Sequence, residues 1–271
     1  ALLPRAAALS AAAAVTMDAD TGETLFAENA DSRLPMASTT KIMTALVALG
    51  EGGLDRVYTV KKQYAAVEGS SMYLEEGERL TLRDTLYGLL LSSGNDAAAA
   101  VAGECGGERA FVDKMNAKAR ELGLTDTRFE NPSGLPSDGH YTTARELAKI
   151  TAAALRDPVF RDIVSTKTCT AAGRTLVNHN RLLSLYEDAI GVKTGFTRAA
   201  GRCLVSAAER NGRTVIAVTL NDPDDWNDHI ALLDDAFSRY SEVTLHEKGD
   251  TLAQTQVFGG ETDRAELVAE S

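Results

Sequence analysis

The alternation of hydrophobic and polar positions predicts that this chain opens with a β-hairpin and continues with a helix. Residues 13–18 and 23–28 are two short runs of β-forming side chains, and the turn-forming residues 20–22 separate them. Next along the chain, apolar side chains recur at helical spacing through residues 42–49. The spacing therefore indicates a helix that begins near Ser38, shortly after the hairpin.

Helical signals dominate the middle of the chain. Thr81 and Asp84 have the spacing of a capping box, as do Thr143 and Glu146, so each pair predicts the start of a helix. A further helix is expected after Asn95, where the segment is rich in alanine.

Strand signals return in the last third of the chain. Residues 203–208 and 214–220 are β-like apolar runs, and Asn211 with Gly212 between them is a common hairpin turn. From Trp226 onward, apolar side chains recur three and four residues apart, which predicts a final amphipathic helix. Because strands flank a helical middle, the expected fold class is α+β. One antiparallel sheet, built from the first hairpin and the late strands, would be covered by helices.

The end of the chain differs from this plan. Residues 244–271 carry six acidic and two basic side chains and predict two or three short strands. Such a segment is too short to bury a core of its own. We therefore expect a main domain over residues 1–243, followed over residues 244–271 by the beginning of a β-rich domain that this chain does not complete.

Composition and charge narrow the possible functions. The chain has 271 residues, of which 44% are hydrophobic and 25% charged, as in ordinary globular proteins. Its formal net charge of -11 would repel nucleic-acid phosphates and anionic membrane surfaces. No run reaches the ~18 apolar residues of a spanning helix. The alanine-rich residues 1–14 are more typical of a mature N-terminus than of an intact signal peptide.

The cysteines and histidines do not suggest metal or disulfide chemistry. Both residue types are sparse and scattered, with no C-x-x-C and no H-E-x-x-H spacing. We therefore expect no disulfide framework, no metal site and no cofactor. The residues concerned are Cys105, Cys169, Cys203, His140, His179, His229 and His246.

Candidate chemistry begins with Ser38 and Lys41. Residues three apart at a helix start lie on one face, with about 5–6 Å between their Cβ atoms, so hydroxyl and amine can meet. A serine hydroxyl needs a base to become nucleophilic, and a lysine is a base only when burial or a nearby positive charge keeps it neutral. Alone, the pair is more typical of a capping serine beside a surface lysine.

A second motif, Ser93-Gly94-Asn95, lies at a predicted helix–helix junction. Its functional interpretation places the Ser93 hydroxyl beside Lys41, as a proton relay toward the leaving amine, and the Asn95 amide against a substrate carbonyl. Serine, glycine and asparagine are also ordinary turn and cap residues, so this motif is weak by itself.

A third motif, Lys193-Thr194-Gly195, opens the late strand region. Lys193 would supply the positive charge that keeps Lys41 neutral, and with Thr194 it would attract an anionic end of the substrate. A glycine on a strand often marks the close approach of another backbone. The alternative is an edge lysine followed by a turn.

The order and distances of the three motifs resemble the active-site set of penicillin-binding proteins and class A β-lactamases. Flanking residues narrow the resemblance to the low-molecular-mass penicillin-binding proteins. More narrowly, the chain resembles the D-alanyl-D-alanine carboxypeptidases of the Gram-positive sporulation type, in peptidase family S11. The segments that carry this resemblance are residues 17–22, 35–44, 68–74, 89–98, 178–183 and 191–197.

This resemblance implies a fold of the serine β-lactamase/transpeptidase type, with a sheet and a helical subdomain. It implies a peptidoglycan stem peptide ending in D-Ala-D-Ala as the substrate. Ser38 would attack the penultimate carbonyl, D-alanine would leave, and water would hydrolyse the acyl-enzyme. Backbone N–H groups of Ser38 and Phe196 would form the oxyanion hole, and β-lactams would acylate Ser38 by the same route.

The resemblance also bears on location. It implies an extracytoplasmic protein, secreted or associated with the membrane. In such relatives an amphipathic anchor usually follows the β-rich domain, and membrane attachment would depend on a segment of this kind that the chain itself lacks.

One position departs from the family pattern. Many relatives use an arginine just before the last helix to bind the terminal carboxylate of the substrate, whereas residues 222–226 of this chain are Asp-Pro-Asp-Asp-Trp. Arg198, a few residues beyond Lys193, is the nearest substitute in the sequence and is taken as the candidate cation. A surface arginine at this position is an equally good interpretation.

Three related functions remain open. A class A-like β-lactamase would need a Glu-x-x-x-Asn arrangement between the second and third motifs, and none occurs there. A D,D-endopeptidase would differ only in pocket walls that the sequence does not place. A non-catalytic β-lactam-sensing domain would be expected to carry a transmembrane signalling segment, which this chain does not show.

Overall fold

A computed structural model describes residues 9–239, 246, 248–256, 258 and 264–270. The chain divides into two compact units, Ala1–Arg239 and Tyr240–Ser271. The predicted boundary after residue 243 lies outside the described residues, and the assignment of residues 244–271 to a second domain stays a prediction.

The first unit alternates strands and helices in the order that the hydrophobic pattern predicts. A 3₁₀ helix (Ala37–Thr40) precedes its first α-helix. In chain order, the strands and α-helices are β1 (Ala13–Asp18), β2 (Thr24–Glu28), α1 (Lys41–Glu51), β3 (Val57–Thr59), α2 (Lys62–Ala65), β4 (Arg79–Thr81), α3 (Leu82–Leu90), α4 (Asn95–Glu104), α5 (Glu108–Glu121), α6 (Ala144–Leu155), α7 (Pro158–Ser165), β5 (Thr168–Ala171), β6 (Arg174–Val177), α8 (Leu182–Leu185), β7 (Ala189–Thr197), β8 (Gly201–Arg210), β9 (Arg213–Leu220) and α9 (Asp225–Arg239).

The main sheet joins the two ends of this unit. Its antiparallel strands have the order β2-β1-β9-β8-β7, so the N-terminal hairpin pairs directly with the last strand, with Val15 opposite Val218. The predicted α+β sheet is therefore confirmed. Strand β7 lies at the edge, which leaves one side of its backbone free to face the 3₁₀ helix.

Helices cover both faces of the sheet. Successive side chains of a strand point to opposite faces, and along β1 Val15 belongs to the core shared with Leu147 of α6, whereas Ala14 packs in the core shared with Leu233 of α9. The late strands are apolar nearly throughout because both of their faces are buried. This explains why their sequences form continuous runs instead of alternating.

One of the two predicted capping boxes is complete. The Thr81 hydroxyl accepts from the backbone N–H of Asp84, and the Asp84 carboxylate accepts from the N–H of Thr81. Thr143 caps α6 in the same way, but the Glu146 carboxylate accepts instead from the backbone N–H groups of residues 125 and 126. Glu146 therefore fastens a loop to the helix rather than closing a box.

The described part of the second unit is a small antiparallel pair. Strand β10 (Thr251–Gln256) pairs with β11 (Arg264–Val268), and Gln254 lies opposite Glu266. The pair agrees with the short strands predicted for residues 244–271, and its side chains are exposed.

Candidate active site

The backbone of Ser38 lies directly against the edge strand β7. A Cβ atom added to Gly195 would come within 3.0 Å of the Ser38 nitrogen and 3.1 Å of the Thr39 nitrogen. Only a glycine therefore lets the strand approach the 3₁₀ helix this closely, as the third motif predicts. Ala37, next to the serine, has a φ of 48°. A non-glycine residue in that region carries strain of about 1–2 kcal/mol, which the surrounding packing must hold in place.

Lys41 is completely buried and its amine has three polar neighbours. Nζ lies 3.0 Å from Oγ of Ser38, 2.8 Å from Oδ1 of Asn95 and 2.6 Å from the backbone carbonyl oxygen of Ser133. The predicted meeting of hydroxyl and amine is thus present, with the amine at the C-terminal end of the 3₁₀ turn that carries the serine.

The environment of Lys41 favours a neutral amine. Burial, and next to it the charge of Lys193, lower the pKa of Lys41 well below its ordinary value, and Asp96 opposes this shift. Desolvation disfavours an ammonium because the low-dielectric interior solvates charge poorly. The structure therefore provides the burial and the positive charge that a lysine base requires.

The Asn95 amide makes two hydrogen bonds within the protein. Its Oδ1 accepts from Lys41, and its Nδ2 donates to the backbone carbonyl of Glu68 at 2.7 Å. Each end of the amide is thus bonded once within the protein, and the NH₂ group keeps a second N–H, so the contact with a substrate carbonyl stays a prediction. The amide also orients Lys41, because the Glu68 carbonyl requires the NH₂ group and so turns the oxygen toward the amine.

Ser93 lines the same pocket as Ser38. Its φ of 59° places it in the left-handed region, at the junction between α3 and α4 where the sequence predicts it. In the described part of the chain it makes no direct hydrogen bond to Lys41, so the relay implied by the motif would operate when a substrate group lies between them. Strained backbone conformations of this kind are common at residues that contribute to a functional site.

Lys193 is buried beneath the pocket, and Thr194 faces into it. Burial lowers the pKa of Lys193 to about 7, and its Nζ donates to the carbonyl of Thr194 at 2.9 Å. At neutral pH this lysine is thus partly protonated, and its charge lies close enough to Lys41 to affect the pKa of that amine. An anion entering the pocket would stabilise the charged form.

The pocket has a volume of about 300 Å³. Its lining includes Ser38 together with an arginine, an aspartate and a tryptophan. Phe196 stands at its rim with 66% of the side chain exposed. The lining residues are Ser38, Ser70, Ser93, His179, Thr194, Gly195, Phe196, Arg202, Asp225 and Trp226.

The structure places Arg202 in the pocket, and not the predicted Arg198. Arg198 is exposed in the turn between β7 and β8 and does not line the pocket. Arg202 lines it instead: one Nη donates to Asp225 at 2.7 Å, and the buried Nε has no hydrogen-bond partner among the residues that the structure describes. A buried N–H without a partner is costly, and here it lies in an arginine that already faces the site.

Pairing between strands could have identified Arg202. It lies opposite Phe196 in the β7–β8 register, so its side chain is on the same face of the sheet as Phe196 and Thr194. No sequence signal could have identified the Ser133 carbonyl, because every residue type has the same backbone oxygen. Asp225 and Trp226 come to the pocket through the packing of α9 on the sheet.

A family comparison agrees with this geometry. The model of the D-alanyl-D-alanine carboxypeptidase family, peptidase S11, matches residues 2–224. The chain belongs to this family. The fold and the serine-enzyme class expected from the three motifs are thereby confirmed.

Individual members of the carboxypeptidase family are similar along most of the chain. D-alanyl-D-alanine carboxypeptidase DacF of Bacillus subtilis is 38% identical over 95% of this chain and 70% of its own length. A D-alanyl-D-alanine carboxypeptidase of Streptomyces sp. strain K15 is 40% identical over 78% of this chain and 81% of its own length. The crystal structure of the Streptomyces K15 DD-transpeptidase superposes with a TM-score of 0.82, at 37% identity, over 87% of this chain and 100% of that one.

The family comparison does not bear on membrane attachment, whereas the length and polarity of the helices do. Among the described residues, every helix is too short or too polar to span a bilayer.

Proposed function

We propose that this chain removes the terminal D-alanine from peptidoglycan stem peptides as a serine-type carboxypeptidase, through an acyl-enzyme on Ser38. The observation that carries the proposal is the set of partners around the amine of Lys41. Its substrate places this activity outside the cytoplasm.

The three neighbours of Lys41 suit a neutral amine that accepts a proton from Ser38. Such an amine has two N–H groups and one lone pair. The oxygens of Asn95 and Ser133 are acceptors and take both N–H groups. The lone pair is then left for the Ser38 hydroxyl at 3.0 Å, which is the arrangement of a general base with its nucleophile.

Acylation follows from this arrangement. Oγ of Ser38 attacks the carbonyl carbon of the penultimate D-alanine while its proton passes to Nζ of Lys41. The C–N bond breaks, and the proton reaches the departing amine through Ser93, whose hydroxyl faces the same pocket. Water then attacks the ester, and Ser38 regains its proton as the shortened peptide leaves.

The oxyanion hole is assigned to the backbone N–H groups of Ser38 and Phe196. Gly195 lets strand β7 approach the Ser38 nitrogen, and Phe196 is the next residue of that strand, which supports this assignment. Donors held in place before the reaction stabilise the developing negative charge without reorganising, and one such donor is commonly worth 10²–10³ in rate.

The substrate's terminal carboxylate is assigned to Arg202 and Thr194, with the buried charge of Lys193 behind them. Arg202 replaces the sequence-based candidate Arg198, since it alone of the two arginines lines the pocket. A guanidinium that lines the pocket suits a carboxylate, because its N–H groups can bind both carboxylate oxygens. β-Lactams carry a carboxylate in the corresponding place and are expected to acylate Ser38 by the same route.

Two assays on purified protein test the proposal. Wild-type protein should release D-alanine from diacyl-L-lysyl-D-Ala-D-Ala and be labelled covalently by fluorescent penicillin. Ser38→Ala should lose both, and Ser238→Ala, at an exposed serine of α9, should lose neither. Labelling of a folded Ser38→Ala protein would overturn the nucleophile assignment.

The same assays separate the competing functions. Rapid hydrolysis of penicillin in place of a lasting adduct would identify a β-lactamase. Labelling without any D-alanine release would identify a sensing domain. Cleavage of cross-linked dimers at the rate of the monomeric peptide would identify an endopeptidase.

A further inference from the structure

The pocket that contains Ser38 has one large aromatic wall. Trp226, in the first turn of α9, lines the pocket beside Arg202 and Asp225. The guanidinium carbons of Arg202 and Arg181 lie 5.6 Å and 5.9 Å from the centroid of its ring. Cations at this distance from an indole are attracted to it, by about 0.5–1 kcal/mol at exposed sites. Two arginine side chains therefore hold the ring in place.

The backbone at Trp226 is also tied to the arginine. The neighbouring Asp225 carboxylate, 4% exposed, accepts from Arg202 at 2.7 Å. Arg202 and Trp226 thus move together, because one contacts the ring of the other and is bonded to the residue beside it. Phe196 also lines the pocket, is 66% exposed, and makes no cation–π contact with an arginine among the described residues.

This wall lies where the leaving residue must be. If the carboxylate of that residue is bound by Arg202 and its amide bond lies at Ser38, its side chain occupies the space between them, next to the indole. The pocket holds only about 300 Å³, at the lower end of the range for ligand sites. A side chain larger than a methyl group would extend toward the ring.

We propose that Trp226 limits the size of the leaving residue, so that the enzyme releases D-alanine and excludes a residue that carries a second peptide. This inference rests on the proposed function. It assigns to one side chain the choice between a free stem peptide and a cross-linked one. Displacing the ring would break its contacts with both arginines and disturb the carboxylate anchor, so a bulky leaving residue is penalised twice.

A series of leaving residues tests the proposal. Diacyl-L-lysyl-D-Ala-D-X peptides, with D-alanine, D-leucine or D-lysine as X, and a cross-linked muropeptide dimer are compared by kcat/KM. For wild-type enzyme, kcat/KM should fall from D-alanine to D-leucine by roughly 10- to 100-fold, and the dimer should be cleaved more slowly still. In Trp226→Ala the ratio of D-alanine to D-leucine should shrink to within about three-fold.

Controls separate size from a general loss of fit. Trp226→Phe keeps an aromatic wall and should retain most of the discrimination. Circular dichroism melting shows whether Trp226→Ala is folded, and the ratio between substrates cancels any loss of active protein. A wild-type enzyme indifferent to X, or a Trp226→Ala enzyme with the wild-type ratio, overturns the inference while D-alanine release continues. No release of any D-residue by the wild type overturns the proposed function itself.

Discussion

Oδ1 of Asn95 accepts a hydrogen bond from Nζ of Lys41 at 2.8 Å, while Nδ2 of the same amide donates to the carbonyl of Glu68 at 2.7 Å. One side chain thus connects the base to the loop that carries Ser70 into the pocket. Asn95 therefore orients the lysine.

Asn95→Asp should impair acylation through the charge state of Lys41. A carboxylate at this distance stabilises the ammonium, raises the pKa of Lys41 and removes the donor to Glu68. The rate of penicillin acylation at pH 7 should fall by roughly 10²- to 10⁴-fold, and the acidic limb of its pH profile should move to higher pH. Asn95→Ala, which adds no charge, is the control. Equal profiles for the two variants would show that a carboxylate at this position does not change the charge state of Lys41.

The assignment of the carboxylate anchor predicts a contrast between two arginines. Arg202→Ala should lower kcat/KM for D-alanine release by roughly 10- to 100-fold, mainly through KM, because a charge-assisted hydrogen bond is lost. Arg198→Ala removes the same side chain from an exposed turn and should have little effect. The double variant Arg202→Ser/Asp225→Arg puts a guanidinium on the other partner of the ion pair and should recover part of the loss. The opposite order of the single variants would restore Arg198 as the anchor.

The close approach of β7 predicts a strong effect of one methyl group. In Gly195→Ala the new Cβ would lie 3.0 Å from the Ser38 nitrogen, so strand and 3₁₀ helix must separate. A displacement near 1 Å at reacting groups can cost about 10²-fold, and penicillin acylation should slow accordingly. Gly50→Ala is the matched control, since nothing lies within 4 Å of its added Cβ in helix α1. It should keep full activity and gain about 0.5–1 kcal/mol in the free energy of unfolding.

Acid stability should depend on His229. This fully buried ring is bonded to Ser206 at 2.6 Å and Thr219 at 2.9 Å, and burial lowers its pKa to about 3. The unfolded chain has a histidine pKa near 6.5. Between these values the unfolded state binds the proton more tightly, so stability is present above pH 6.5 and is lost as the pH falls toward 3, by about 1.4 kcal/mol per unit.

Urea denaturation at pH 7.5 and pH 5 measures this dependence. His229→Gln keeps a donor and an acceptor without a titrating group, so its free energy of unfolding should fall by about 2 kcal/mol less than that of the wild type between the two values. An identical pH dependence in the two proteins would mean that His229 does not control acid unfolding.

Much of the fold was accessible from local patterns. The hairpin signals at residues 20–22 and at Asn211 with Gly212 correspond to real turns, and apolar runs on either side of them pair in one sheet. The capping box at Thr81 also formed as its spacing predicts. Glu146 did not close the second box, because a loop distant in sequence offered its carboxylate two backbone donors.

The sequence by itself determined the chemistry of the site. Ser38 with Lys41, then Ser93 and the strand with Lys193, occur in an order that indicates acyl transfer, and short-range spacing places the first pair together. Sequence separation is enough to place Ser38 beside Lys41, since residues three apart at a helix start must be neighbours.

Only the tertiary structure decided which groups surround that pair. Arg202 rather than Arg198 reaches the pocket because cross-strand register, and not nearness in sequence, determines which side chains share a face. Asn95 turns to Lys41 because the Glu68 carbonyl takes its other end, and a backbone oxygen at Ser133 completes the set. Packing brought these groups together. A buried polar atom needs a hydrogen-bond partner, and that partner can come from any part of the folded chain.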